Sequence, residues 1–217
     1  MPDYAARRTM MVDTQVRPSD VTKFPIIAAM LEVPREAFVP AALSEAAYVG
    51  ENLTLAPGRV LLEARTFAKL LDALDIQRTE LVLDLGCALG YSTAVIARLC
   101  EAVVALEEIG GQAAEAQALL ATRGFDNAHV VAGPLAGGAA KHGPYDVIVV
   151  EGAAEQVPPA LLDQLKDGGR IGCLFMEGAL GVCRLGYKHG GTVTWRYAFN
   201  ASAPVLPGFA LTRDFTL

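Results

Sequence analysis

Two acidic residues follow neighbouring apolar segments at a spacing that suits ligand binding. Asp84 lies near the end of the first segment, Glu107 comes directly after the second, and a turn from Gly86 to Gly90 opens the helix between them. The start of a helix offers free N–H groups, and small residues let the backbone approach a ligand closely. A carboxylate at the first position suits an ammonium group, and one on the next strand can take the two hydroxyls of a ribose.

Together, these features predict a site for a nucleoside that carries a cationic amino-acid tail, as S-adenosylmethionine does. The alternative interpretation is a tight strand-to-helix turn without a ligand, because a glycine turn alone is weak evidence. The order strand, turn, helix, strand, acid favours the ligand site. The neighbouring Glu108 is better explained as a solvated acid at the start of a helix.

The composition limits the classes of protein to which this chain can belong. It has 217 residues, of which 53% are hydrophobic, and this predicts one domain or one domain with an N-terminal extension. The net charge of -6 argues against a nucleic-acid partner, which needs a basic face. We expect no membrane helix, since no long apolar window occurs. We also expect a cytoplasmic location, since no secretory signal is recognisable.

Cysteine, histidine and charge counts add three expectations. The four cysteines are scattered and predict small buried residues rather than disulfides. The three isolated histidines predict no metal site. Charged residues make up only 19% of the chain, which leaves apolar surface that a homodimer could cover.

The elements that must position the two acids alternate regularly after residue 79. Strands are predicted near 81–85, 102–106, 129–132, 145–150 and 169–175, with helices near 91–99, 109–122 and 158–165. This alternation predicts an α/β fold with an open, mostly parallel, Rossmann-like sheet and helices on both faces. The segments 182–187, 192–198 and 210–215 alternate like antiparallel strands and are predicted to form the C-terminal edge of the sheet.

The first 78 residues are predicted to be a helical and loop region that packs on the core and shapes the substrate site, while residues 79–217 form the cofactor-binding domain. Residues 1–18 suggest an arm, and Ser19 or Asp20 is predicted to cap a helix that runs to about Leu31. Residues 41–62 show no clear period. A further amphipathic helix is predicted from Ala64 to Leu74.

Several segments match a known family. They are Met11-Val12 with Gln15, Val33–Pro40 (VPREAFVP), Ala47-Tyr48, Asp84–Tyr91 with Ser92-Thr93, Pro144–Asp146, and Val157–Arg170 (VPPALLDQLKDGGR). From about Met11 to Ile171, the chain resembles the protein-L-isoaspartate O-methyltransferases, which are class I S-adenosylmethionine-dependent enzymes. The VPREAFVP segment is specific to this family, whereas most class I methyltransferases share the glycine turn.

The resemblance implies a Rossmann-like methyltransferase that repairs damaged proteins by methylating the carboxylate of isoaspartyl residues. The implied partner is an isoaspartyl peptide or protein, the implied cofactor is S-adenosylmethionine, and the product is S-adenosylhomocysteine. The residues implied to bind the cofactor are Asp84, Gly86, Ala88, Gly90, Tyr91, Glu107, Pro134 and Leu135. For Tyr91, packing beside the methionine part of the cofactor competes with a plain core position.

The sequence departs from the family pattern at three places. The family's Gln-Thr-Ile-Ser-x-Pro segment aligns with residues 59–64, so that Leu62 replaces the hydroxyl near the methyl acceptor. Ala88 replaces a glycine, and Pro134 replaces the acid near the adenine. These departures keep two alternatives open: a family member with an altered substrate, and a non-catalytic protein that binds the cofactor.

Five further residues are candidates for contact with the substrate. Arg59, Leu61, Glu63 and Arg65 lie in or beside the aligned segment, and Glu151 follows the fourth predicted strand. Arg65 could pair with a substrate carboxylate, although an arginine at a helix start is often a solvated surface group. Leu61 and Leu62 are equally well explained as core residues.

Overall fold

Strands and helices alternate along most of the chain, of which a computed structural model describes residues 2–211. The strands are β1 (Leu53–Ala56), β2 (Arg59–Leu61), β3 (Leu81–Leu85), β4 (Ala102–Glu107), β5 (Ala128–Ala132), β6 (Tyr145–Ala154), β7 (Leu165–Glu177), β8 (Leu180–His189) and β9 (Thr192–Asn200). The helices are α1 (Tyr4–Met11), α2 (Phe24–Glu32), α3 (Ala64–Leu74), α4 (Tyr91–Ala97), α5 (Gly110–Thr122) and α6 (Pro159–Leu162).

The main sheet has the strand order β5-β4-β3-β6-β7-β8-β9. The first five strands in this order are parallel, and β8 and β9 add an antiparallel edge. This confirms the predicted open α/β sheet. The chain builds outward from β3 to β5 and then returns to place β6 on the other side of β3. Ligands bind at such a switch point in open α/β sheets, outside the carboxyl ends of the strands.

Both faces of the central parallel strands β3, β4 and β6 are buried, which explains their nearly continuous apolar sequences. Along β3, Val82 faces one apolar cluster and Leu83 and Leu85 face another, as the two-residue period of a strand requires. The first cluster includes the helices α1 to α4 and part of α5. The second cluster is covered by α6, short 3-10 turns and the segment near Phe209.

The predicted helix Ala64–Leu74 has the predicted bounds and buries its apolar face. Its close approach to the sheet depends on Gly172 in β7. A Cβ atom at that position would lie 2.6 Å from Leu70 Cδ1 and 3.0 Å from Leu74 Cδ1. The helix that leads out of the 59–64 segment is therefore fixed firmly against the sheet.

The predictions for the N-terminal residues were partly wrong. Residues 4–19 are a helix that continues through π and 3-10 turns, and Met11 and Val16 are buried in the core, so this segment is not an arm. Ser19 does not cap α2, because its hydroxyl donates to the carbonyl of Gln15 and completes the preceding turn. The helix α2 begins four residues after Asp20, with Pro25 in its first turn as expected.

Other element bounds differ because strand pairing extends beyond the apolar segments. The predicted helix 158–165 shortens to α6, since Leu165 already pairs with Tyr145 and begins β7. Residues 41–62, which showed no period, contain 3-10 turns and an antiparallel hairpin of β1 and β2. Most of the predicted strand 210–215 lies outside the described residues.

Three general expectations concern the described part of the chain. The four cysteines are free and buried, as predicted. Between residues 2 and 211, no helix has the length and apolar character needed to cross a bilayer. Within the same range, no three His, Cys, Asp or Glu side chains are grouped so that they could hold a metal ion.

Candidate active site

Three carboxylates meet at the carboxyl ends of the central strands. Asp84 comes from β3, Glu107 ends β4, and Glu151 lies in β6 on the other side of β3. Asp84 and Glu107 are 0% exposed and Glu151 is 5% exposed. Buried charges are costly unless they are paired or hydrogen-bonded. The partners of each acid therefore decide what this edge of the sheet can do.

Asp84 is held by two hydroxyl groups from the first turn of α4. Ser92 Oγ and Thr93 Oγ1 donate to its Oδ2 atom at 2.7 Å and 2.6 Å. Burial raises the pKa of Asp84 to about 6, while these two hydrogen bonds oppose the shift. Its other oxygen, Oδ1, is buried and has no hydrogen-bond partner in the described structure. Asp84 thus presents one unused acceptor beside the glycine turn.

Glu107 is satisfied on both oxygens by three donors. The N–H groups of Ala88 and Ile109 donate to Oε2 and Oε1 at 2.7 Å and 3.1 Å. The guanidinium of Arg59 forms a short, buried ion pair with Oε2. The adjacent Glu108 is exposed, as expected for an acid at a helix start.

Arg59 lies directly over the glycine turn. A Cβ atom at Gly86 would be 3.1 Å from Nη1 of Arg59, which is a tight contact, and the φ angle of 88° at this position also favours glycine. Ala88 and Gly90 follow at positive φ angles of 50° and 92°. Ala88 tolerates this left-handed conformation at a cost of about 1–2 kcal/mol, and its N–H is oriented toward Glu107.

The segment with the lost hydroxyl is part of the core. Leu62 is 1% exposed, and Leu61 is also buried, which favours the core interpretation of both residues. Arg35 fixes this segment, because its Nη2 donates to the carbonyl of Leu62 at 2.7 Å and its Nε donates to Ala47 at 2.6 Å. The guanidinium of Arg35 also lies 4.8 Å from the centre of the Tyr91 ring.

Tyr91 and Glu151 lie in the same buried region. Tyr91 packs against the rings of Phe38 and Phe67, so its ring is a core element, and burial raises its pKa. Burial also raises the pKa of Glu151 well above its usual range, and the charge of Asp84 adds to this shift. Its Oε1 atom has no hydrogen-bond partner in the described structure.

The remaining predicted site residues are spread around this centre. Arg65 is exposed, with its Nη1 3.7 Å from Oε1 of Glu63, and Glu63 accepts from the hydroxyl of Thr66. Pro134 is exposed, whereas Leu135 is fully buried in the second cluster. Beside them, a cavity of about 290 Å³ extends from the ends of β4 and β5. Its lining includes Leu106, Gly133, Ala139, Lys141 and His142.

Two sets of functional residues were not assigned roles from the sequence. Ser92 and Thr93 were noted only as part of a family segment, yet they are the donors to Asp84. Hydroxyl residues in the first turn after a glycine turn are a signal that could have identified them. Arg35 was noted only within VPREAFVP. The physical role of this segment is to bury Arg35, whose guanidinium donates hydrogen bonds to the backbone carbonyls of Ala47 and Leu62.

Comparisons with known proteins agree on one family. The sequence model of "Protein-L-isoaspartate(D-aspartate) O-methyltransferase (PCMT)" matches residues 7–174. A protein-L-isoaspartate O-methyltransferase of Opitutus terrae is 35% identical over 164 residues, which are 76% of this chain and 70% of the relative. The enzyme of that name from Aliivibrio fischeri is 36% identical over 164 residues, which are 76% of this chain and 79% of the relative.

Solved structures show the same fold. One protein-L-isoaspartate O-methyltransferase superposes with a TM-score of 0.80 at 23% identity, covering 93% of this chain and 66% of that chain. A Plasmodium falciparum protein described as a protein-L-isoaspartate O-methyltransferase, solved with S-adenosyl-L-homocysteine, superposes with a TM-score of 0.78 at 17% identity. That match covers 95% of this chain and 99% of the other.

Proposed function

The chain belongs to the protein-L-isoaspartate O-methyltransferase family, and from this premise we propose that it transfers a methyl group from S-adenosylmethionine to the carboxylate of isoaspartyl residues. The observation that carries the proposal is the arrangement of Asp84 and Glu107. Their strands are neighbours in register, and both side chains flank the glycine turn at the switch point of the sheet.

The donor chemistry of this edge fits the cofactor. Asp84 has a buried and unused Oδ1 atom, which suits an ammonium group. Glu107 would take the two ribose hydroxyls, as an acid at this strand end does in nucleotide sites. The cavity beside Pro134 would receive the base, with ring contacts from the backbone because no side-chain acid is present there. The cofactor supplies a methyl carbon on a sulfonium for in-line displacement.

The acceptor needs no general base. A carboxylate with an ordinary pKa near 3.9 is already ionised at neutral pH. The work of the protein is therefore to orient the acceptor and exclude water. The buried side chains of Leu61 and Leu62 can help to exclude water, but they offer the acceptor no orienting hydrogen bond. Residues 1–78 would then shape the substrate side through Arg35, which fixes the carbonyl of Leu62.

The experiment is a methyl-transfer assay with a pair of peptides that differ only in one isoaspartyl or aspartyl linkage. We expect label from methyl-labelled S-adenosylmethionine in the isoaspartyl peptide alone. The variant Asp84→Asn serves as control and should transfer less, since the acceptor for the ammonium group becomes an amide. Absence of label in the isoaspartyl peptide, at cofactor concentrations that saturate binding, would contradict the proposal.

The proposal also includes a cytoplasmic location and self-association. Four free, buried cysteines suit a reducing compartment. The exposed side chains of Phe24 (76%) and Met10 are apolar surface that a second copy could cover. Light scattering of the purified chain tests the homodimer, and a monomer at all concentrations would contradict it.

A further inference from the structure

Arg59 lies at the centre of the site, but the proposed methyl transfer has no use for its guanidinium. It begins β2, after the turn at Pro57 and Gly58, and its side chain is only 4% exposed. Its Nη2 atom pairs with Glu107, while its Nη1 atom is buried and has no hydrogen-bond partner in the described structure. A guanidinium buried with only one of its two ends paired is compensated incompletely.

The position of Arg59 conflicts with a nucleoside at the same place. Its Nη1 atom lies close to Gly86, where the backbone would otherwise be open to a ligand. It also takes up Glu107 Oε2, which already accepts from Ala88, and Oε1 accepts from Ile109. While Arg59 is in place, Oε2 of Glu107 accepts from two donors, so only one lone pair, on Oε1, is left for the two ribose hydroxyls. The cavity beside Pro134, in contrast, stays open.

The element that carries Arg59 is separate from the main sheet. Strands β1 and β2 pair only with each other, and their register is interrupted between Thr54 and Ala56. Withdrawal of Arg59 therefore breaks no hydrogen bond of the seven-stranded sheet. The segment 59–64 aligns with the family's Gln-Thr-Ile-Ser-x-Pro pattern, so an arginine stands here where that pattern has a neutral glutamine.

We infer that the side chain of Arg59 fills the position of the ribose in the cofactor site, so that S-adenosylmethionine binds only when Arg59 leaves Glu107. This inference rests on the proposed function. The ion pair and the nucleoside compete for the same carboxylate and the same space above Gly86. Arg59 thus sets the apparent affinity of the protein for its cofactor, because the cofactor binds only the fraction of molecules in which the arginine is displaced.

The test is calorimetric titration of four proteins with S-adenosylmethionine and S-adenosylhomocysteine: wild type, Arg59→Gln, Arg59→Lys and Arg17→Gln. The glutamine variant removes the cation and should bind about tenfold more tightly or better, as expected when a competent state of about 10% or less becomes the main state. The lysine variant keeps a cation that can reach Glu107 and should remain weak. Arg17→Gln removes an exposed arginine and should match wild type.

Thermal unfolding without ligand provides a second readout. In the wild-type background, Glu107→Gln should lower the unfolding midpoint strongly, because it leaves the buried guanidinium of Arg59 without a countercharge. In the Arg59→Gln background, the same change should lower it much less. If Arg59→Gln does not fold, Arg59→Ala replaces it in both experiments. Additive effects of the two changes on the midpoint would contradict the buried pair on which the inference depends.

The outcomes separate this inference from the proposed function. Tighter binding by Arg59→Gln supports the inference, and if no variant then methylates an isoaspartyl peptide, the proposed function alone fails. Equal affinities of wild type and Arg59→Gln, with methyl transfer intact, overturn the inference alone. Absence of binding by every variant overturns both.

Discussion

Glu107 and Glu151 lie at the same edge of one sheet and are both almost completely hidden from water, but their surroundings differ. Glu107 accepts from two backbone N–H groups and an arginine. Glu151 has a buried oxygen without a hydrogen-bond partner in the described structure, and Asp84 raises its pKa further. Burial alone therefore does not fix the charge of an acid. The donors around the acid matter as well, and Glu151, which has a buried oxygen without one in the described structure, is held neutral over a wider range of pH.

The difference assigns the two sides of β3 to different tasks. The side with Glu107 has backbone N–H groups and a carboxylate that suit a polar ligand. In this structure, the guanidinium of Arg59 pairs with that carboxylate. The side with Glu151 and Tyr91 is dry and close to the carbonyl that Arg35 fixes. Four substitutions test this contrast between the two glutamates.

The largest effect is expected from Glu107→Gln. The change leaves the guanidinium of Arg59 buried without a countercharge, and removal of one partner of a buried pair costs about 3–5 kcal/mol. Urea unfolding at pH 7 measures the free energy of unfolding. A loss below about 1 kcal/mol would mean that the pair behaves like an exposed one and that the contrast with Glu151 is wrong.

The next effect concerns Asp84, which lies between the two glutamates. Thr93→Val keeps the shape of the side chain but removes one donor to Oδ2, and a hydrogen bond to a charged group contributes about 1.5–3 kcal/mol. The pKa of Asp84 should rise further. The cost should therefore be full only at pH values above the raised pKa of the variant, and it should become small below pH 6, where the folded carboxyl is protonated in both proteins. Unfolding at several pH values measures this, and a cost independent of pH would contradict it.

Glu151→Gln should change the pH dependence of stability. The pKa of Glu151 in the folded chain is raised from 4.5. Its contribution to stability is thus fully present below pH 4.5 and is lost as the pH rises toward the folded pKa. The loss amounts to at most about 1.4 kcal/mol per pH unit. The amide has no such loss, so the variant should match wild type near pH 4 and exceed it at pH 7. Parallel stability curves would show that Glu151 is ionised in the fold.

The smallest effect is expected at an exposed pair. Arg17 pairs with Asp13 one helical turn earlier, and both side chains are more than half exposed. Arg17→Gln should cost about 0–1 kcal/mol, because water and salt screen such pairs. The same urea experiment measures it, and a loss comparable to that of Glu107→Gln would show that burial is not the cause of the large effect.

Much of the fold follows from local patterns. The apolar segments of β3, β4 and β5 and the amphipathic face of α3 were predicted at nearly their observed positions, because a short continuous apolar segment marks a strand and a buried stripe leaves a helical period. The hairpin with Arg59 was not predicted. Its strands are short and irregularly paired, so no period marks them. The N-terminal helix was mistaken for an arm, since its buried residues pack against α2 and against α3, and α3 lies far away in sequence.

For the candidate site too, local sequence patterns predict one part, and contacts between distant segments create the other. Local patterns in the sequence are enough to place Asp84 and Glu107 at the ends of adjacent strands around a glycine turn, because strand, turn and helix are local and parallel strands bring their carboxyl ends to one edge. The presence of Arg59 at that edge, 48 residues before Glu107 in the chain, is visible only in the folded structure. The folded structure also brings Glu151 beside Asp84, with an Oε1 atom that has no hydrogen-bond partner among residues 2–211. Ion pairs and burial depend on contacts between distant segments, and the spacing of residues along the chain does not encode them.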